Sequence, residues 1–224
     1  EHMIFMGSKK YKSPNEYMEF ISQNGGSTNA FTAAEQTTYL FSINSKQFAP
    51  ALDRLSSAIK EPLFDGTMVE KEINAVNSEW LKNRQTDTFI QQRALALTGN
   101  PSHPRVKLGV GNKETLGTNE EQLLGSLRDF HSKFYSANLM KLVLVGNQSS
   151  KELAKLARKY FSKIDNKKVE RPVTNIPAYR AEDLSKEIFI KSKVKSPIFL
   201  IEFPIKDNRK SWKSKPNQYI SKLI

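Results

Sequence analysis

The hydrophobic period of this chain changes twice within its first 60 residues, and that change narrows the folds open to it. Tyr17, Phe20 and Ile21 recur at helical spacing behind Ser13-Pro14-Asn15-Glu16, a capping box with proline at the first helical position. Gly25-Gly26 follows, which predicts a helix ending near Asn24. Residues 28–32 and 37–43 are rich in Thr, Phe, Tyr and Leu and predict an antiparallel pair of strands. From 45 to 60 the helical period returns, with Phe48, Leu52, Leu55 and Ile59 on one face and Glu61-Pro62 beyond it. Helices and strands mix here without strict βαβ alternation, so the expected class is α+β.

The remainder extends that pattern. The first seven residues read as the tail of a helix. Thr67-Met68-Val69-Glu70 is a capping box opening a long helix through Ile73, Val76 and Trp80, and a helical pattern resumes over 87–97. Residues 100–112 read as a surface loop. Thr118 with Glu121 predicts a capped helix through Leu124, Leu127, Phe130 and Phe134, and Ser149 with Glu152 caps another. Lys141-Leu142-Val143-Leu144-Val145 predicts a buried strand. Residues 164–185 read as a linker, and 186–192 and 197–203 as two further strands before a helix behind Pro216.

Composition removes several kinds of chemistry. The chain has no cysteine, so disulfide scaffolds, thiolate zinc sites, iron–sulfur centres and cysteine nucleophiles are excluded. Only three histidines are present (His2, His103 and His131), so any metal site needs carboxylates. No apolar run approaches the roughly 18 residues that span a bilayer. The net charge of +12 lies entirely in residues 141–224. No aromatic-interleaved motif, arginine-rich helix or zinc finger accompanies those lysines, so the charge reads as a solvated surface and no nucleic-acid partner is expected.

The carboxylates most open to chemistry are Glu72 and Glu79. Seven residues are close to two helical turns, so both lie on one face, beside Ile73, Val76 and Trp80. A carboxylate aimed at an apolar face is costly unless it is paired or binds a cation. On spacing alone, the plainer reading is two solvated side chains next to Lys71 and Lys82.

Four segments, in order along the chain, carry a family resemblance. Glu1-His2-Met3-Ile4-Phe5-Met6-Gly7-Ser8-Lys9-Lys10-Tyr11 resembles the stretch after the first histidine of the inverted His-x-x-Glu-His motif of the insulinase/pitrilysin zinc peptidases. Asn24-Gly25-Gly26-Ser27-Thr28-Asn29-Ala30-Phe31-Thr32 is similar to their glycine-led edge strand. Glu72-Ile73-Asn74-Ala75-Val76-Asn77-Ser78-Glu79 is similar to the downstream helix that brings the third metal ligand. Phe134-Tyr135-Ser136-Ala137-Asn138-Leu139-Met140 matches a signature preceding a core strand.

The resemblance implies a mixed, largely antiparallel sheet covered by helices, of the LuxS/mitochondrial-processing-peptidase-like type. Residues 1–175 would form most of a catalytic domain, and 176–224 a linker and the start of a second, similar, non-catalytic domain. It implies one zinc ion per site, held by His2 and Glu79, with Glu1 as the general base that takes a proton from the attacking water. Glu72 would be a supporting carboxylate. Asn29, Ala30 and Phe31 would pair with an extended peptide or small-polypeptide substrate by strand addition.

The family's first histidine ligand would lie three positions before Glu1, outside the chain. The expectation is therefore a segment of a longer zinc metalloendopeptidase, trimmed at both ends and inactive by itself, whose C-terminal half is its partner in enclosing substrate. The alternative is a non-catalytic scaffold or processing-complex subunit of the same fold. Likeness to bacterial members of the family implies a periplasmic setting, with the cytoplasm as the alternative.

Overall fold

The computed structural model describes residues 1–224 apart from 108, 118, 192–197, 206, 207 and 224. It opens with a 3-10 turn, His2–Phe5, rather than an α-helical tail, closed by Ile4 N–H to Glu1 O at 3.2 Å. Gly7 stops the turn at φ +85°, where a Cβ would stand 2.8 Å from the Lys12 carbonyl oxygen. The first helix, α1 (Glu16–Gln23), begins two residues later than Pro14. The Glu16 carboxylate accepts from Arg54 Nε at 2.7 Å, so it is not spent on a capping box.

Gly25 adopts φ +68°, and a Cβ on Gly26 would lie 2.2 Å from the Ser42 carbonyl oxygen, so both glycines are needed to turn α1 into the sheet. Strands β1 (Ser27–Thr32) and β2 (Thr37–Ser42) pair antiparallel, from Ser27 opposite Ser42 to Thr32 opposite Thr37. Among the described residues they form the whole sheet, which the helices flank in an α+β arrangement. Helix α2 (Phe48–Lys60) packs on α1.

Helix α3 (Val69–Asn83) is entered through a 3-10 turn at Gly66–Met68. Here Asp65, not Thr67, is the cap: its carboxylate accepts from Thr67 N–H at 2.9 Å and from the Thr67 hydroxyl at 2.8 Å. A carboxylate accepts more strongly than a hydroxyl, and it draws the Thr67 side chain away from the helix. Helices α4 (Asp87–Leu97), the single turn α5 (Lys113–Leu116) and α6 (Glu120–Phe134) follow. Asn119 caps α6 by accepting from Gln122 N–H at 2.9 Å; Thr118 lies outside the described residues. Helix α7 (Ser150–Phe161) carries the Ser149–Glu152 capping box and packs on α2, and α8 (Pro216–Ile220) begins at its proline.

Among the described residues, three predicted strands do not form. Residues 141–145 are extended without strand pairing, with Val143 80% and Val145 83% exposed. The described parts of 186–192 and 197–203 are likewise unpaired, and Phe189 and Phe199 are exposed; residues 192 and 197 lie outside the described set. An apolar run becomes a strand only when a neighbour takes up its backbone N–H and C=O groups. Among the described residues no strand pairs with these runs.

The core has two parts that meet at the opening turn. Met3, Ile4 and Met6 pack with Ala58, Phe64, Val69, Ile73 and Leu124, joining α2, α3 and α6. Phe5 packs the other way, with Tyr17, Ile21, Ala51 and Leu55 between α1, α2 and the sheet. Each of the larger buried aliphatic and Phe side chains contributes about 1.5–3 kcal/mol. Four consecutive buried residues, Met3 to Met6, therefore hold the chain immediately behind Glu1 and His2 between two packed clusters.

Candidate active site

His2 stands where the opening turn meets α3. Its Nδ1 lies 3.0 Å from Glu72 Oε2, and its Nε2 lies 3.8 Å from Glu79 Oε2. Glu72 is buried and Glu79 is more than half exposed. The two-turn spacing thus places both carboxylates against one imidazole, at its two opposite nitrogens. Val69 and Ile73 of α3 are buried in the core and fix the rotation of that helix.

A carboxylate can only accept, so Nδ1 donates to Glu72, and Nε2 faces Glu79 at 3.8 Å, beyond hydrogen-bond reach. This is the arrangement in which histidine serves as a metal ligand, with an outer carboxylate orienting the ring and raising its basicity. Two tetrahedral ligands at zinc distances of about 2.0–2.2 Å sit roughly 3.3–3.6 Å apart. The observed 3.8 Å between Nε2 and Oε2 is close to that, so the donors fit a zinc ion with little adjustment. Among the described residues no group of three metal-ligating side chains converges; His2 and Glu79 are two such donors facing each other.

Glu1 accepts a hydrogen bond at Oε2 from the Thr32 hydroxyl, at the end of β1. Two phenols lie close by. Tyr39 and Tyr135 share a hydroxyl–hydroxyl hydrogen bond of 2.5 Å, and Tyr39 packs against both core clusters. Burial, and then the negative charge of Glu1, pushes the Tyr135 phenol above its ordinary range; burial first, with Tyr135 and Glu1 adding to it, does the same to Tyr39. Both phenols stay neutral near Glu1.

Strand β1 presents Asn29, Ala30 and Phe31 along an edge that no other strand covers among the described residues. The Ala30 N–H is taken by the Asn29 side-chain oxygen at 2.9 Å instead of by a neighbouring strand, and Phe31 is 47% exposed. These residues lead to Glu1 through Thr32. His103 and His131 are occupied elsewhere. His103 Nδ1 accepts from Arg105 N–H at 3.1 Å, and His131 Nε2 bonds the Ile59 carbonyl at 2.8 Å, with burial lowering its pKa.

Sequence reasoning did not mark Thr32, Tyr39 or Tyr135 as parts of this cluster. Thr32 and Tyr39 read as ordinary strand residues, and only their register on the hairpin brings them to Glu1. Tyr135 lies within the Phe134-Tyr135-Ser136-Ala137-Asn138 signature, whose buried Ser136 has a structural task. Its hydroxyl donates to Asn138 Oδ1 at 2.6 Å and accepts from Lys167 N–H at 2.8 Å.

Comparison with known proteins identifies the family. Residues 1–102 match the family model described as Insulinase (Peptidase family M16), and residues 123–224 match the one described as Peptidase M16 inactive domain. The chain belongs to the M16, or insulinase, peptidase family. Among M16 relatives, the A-factor-processing enzyme of Saccharomyces cerevisiae is 40% identical over 229 residues, covering 100% of this chain and 22% of that protein. The human insulin-degrading enzyme is 40% identical over 240 residues, with coverage of 100% and 22%. Protease 3 of Escherichia coli strain K12 is 38% identical over 227 residues, with coverage of 100% and 23%. The crystal structure of pitrilysin superimposes with a TM-score of 0.77 at 40% identity, over 81% of this chain and 20% of that one. The chain spans about a fifth of the length of these M16 relatives. Among the described residues, no helix is long and apolar enough to cross a membrane.

Proposed function

We propose that this chain carries most of the active site of a zinc metalloendopeptidase that hydrolyses peptides and small polypeptides, the activity belonging to an intact protein of which it is a segment. The observation that carries the proposal is the imidazole of His2 between two carboxylates, Nδ1 held at 3.0 Å by Glu72 and Nε2 facing Glu79 at 3.8 Å. In this reading His2 Nε2 and Glu79 hold the metal, and a histidine three positions before Glu1 completes the set. Zinc supplies a Lewis acid there and brings the pKa of a water to about 7.

The protein's own groups do the rest. Glu1 takes the proton of the attacking water and returns it to the departing amine. Glu72 keeps the His2 ring in its Nδ1–H form and oriented on the metal. An extended substrate adds to the open edge of β1 at Asn29, Ala30 and Phe31, taking over the Ala30 N–H from the Asn29 side chain. Main-chain pairing fixes the scissile bond without demanding one particular side chain, which suits an endopeptidase. Residues 1–175 are assigned to the catalytic domain and 176–224 to the lead into a second, non-catalytic domain. The setting assigned to the intact protein is periplasmic, with the cytoplasm as the alternative.

Chelation tests the proposal. Cleavage of a quenched fluorogenic peptide by the intact protein is expected to stop in 1,10-phenanthroline and to return on adding zinc. Cleavage that continues at full rate in the chelator overturns the metallopeptidase assignment.

A further inference from the structure

We infer that Thr32 is a positioning residue for Glu1, fixing the orientation of that carboxylate; the inference rests on the proposed role of Glu1 as base. Glu1 is exposed and lies ahead of the first turn, so its own backbone gives its side chain little constraint. A free glutamate samples several staggered rotamers. One contact selects among them. The Thr32 hydroxyl donates to Glu1 Oε2.

Thr32 is well suited to hold a side chain still. It is β-branched, with χ1 restricted on a strand, and it ends β1 in register with Thr37. The hydroxyls of Thr32 and Thr37 lie 3.1 Å apart. A threonine hydroxyl has one proton. With the Thr32 proton given to Glu1, Thr37 becomes the donor to Thr32, so the two form a chain running one way, Thr37 to Thr32 to Glu1. Backbone pairing of the hairpin thereby reaches the carboxylate through two short, stiff side chains. The same strand carries Asn29, Ala30 and Phe31, so the edge proposed to receive substrate and the group that aims the base share one rigid element.

The test uses the intact protein with Thr32→Val, which keeps the branching and strand preference of threonine and removes only the donor, and Thr32→Ser, which restores it. Peptide hydrolysis is expected to show kcat lowered about 10-fold in Thr32→Val, in the range that loss of a supporting hydrogen bond costs a site. KM and the zinc bound per chain, measured by atomic absorption, stay at wild-type values, and Thr32→Ser regains kcat to within about threefold. Wild-type kcat in Thr32→Val overturns the inference. So does a loss that serine fails to restore, or one that comes with loss of zinc. Glu1→Gln, measured alongside, separates the two levels. If it is inactive while Thr32→Val is fully active, only the positioning role falls; if it is fully active, the assignment of the base falls.

Discussion

Glu1→Gln in the intact protein is expected to lower kcat by about 10²–10⁴-fold, the usual contribution of a positioned general base, while zinc content stays at the wild-type level. Glutamine is isosteric with glutamate. Its amide oxygen still accepts from the Thr32 hydroxyl, so the contact that orients residue 1 survives. What is lost is basicity. Glu1 belongs to neither core cluster, so the substitution leaves the packing of Met3 to Met6 untouched, and folding is expected to be unchanged. Substrate affinity is also expected to persist, because peptide recognition is assigned to the edge of β1. The variant should therefore bind uncleaved peptide. Measuring kcat, bound zinc and peptide Kd on the same preparation checks all three expectations.

The second large effect separates the two proposed metal ligands. Glu79 is more than half exposed, and its one described contact is with His2. Glu79→Ala is expected to abolish peptide hydrolysis and weaken zinc binding by at least about 100-fold, beyond what loss of an outer partner costs. The metal-free protein should keep its stability to within about 0.5 kcal/mol, as exposed substitutions usually do. His2→Ala is expected to abolish both zinc binding and hydrolysis and to destabilise the metal-free protein as well. It leaves the buried carboxylate of Glu72 without its partner, a penalty of about 1–3 kcal/mol. Urea midpoints of the two metal-free variants, beside zinc titrations, distinguish a ligand that only binds metal from one that also satisfies a buried charge.

Local chemistry made much of this fold readable. The hairpin over 27–42 follows from Thr and aromatic content between a glycine pair and a helical pattern, and the Ser149–Glu152 capping box forms as spelled. The caps that were misread share a cause. Glu16 and Thr67 have cap-like spacing, but a stronger partner, Arg54 in one case and Asp65 in the other, claims each side chain. Spacing alone does not rank competing partners. Residues 141–145 show a different limit, because an apolar pentapeptide states a need for burial without saying which strand will answer it.

The site divides in the same way. The seven-residue interval between Glu72 and Glu79 placed both on one helical face, and plain surface exposure explained that spacing more simply. What the interval did not contain was the imidazole that makes the pair meaningful, 70 residues away from Glu72. Only the family resemblance connected the two segments. Thr32 and the Tyr39–Tyr135 pair depended on hairpin register and on helix packing, which no linear spacing records.

The most direct test is an X-ray structure of the intact, zinc-loaded protein with anomalous data collected across the zinc edge. The account predicts one strong anomalous peak at about 2.0–2.2 Å from both His2 Nε2 and a Glu79 oxygen, with Glu72 still bonded to Nδ1. A zinc peak elsewhere in the protein, with His2 and Glu79 bound to nothing but each other and solvent, would contradict it.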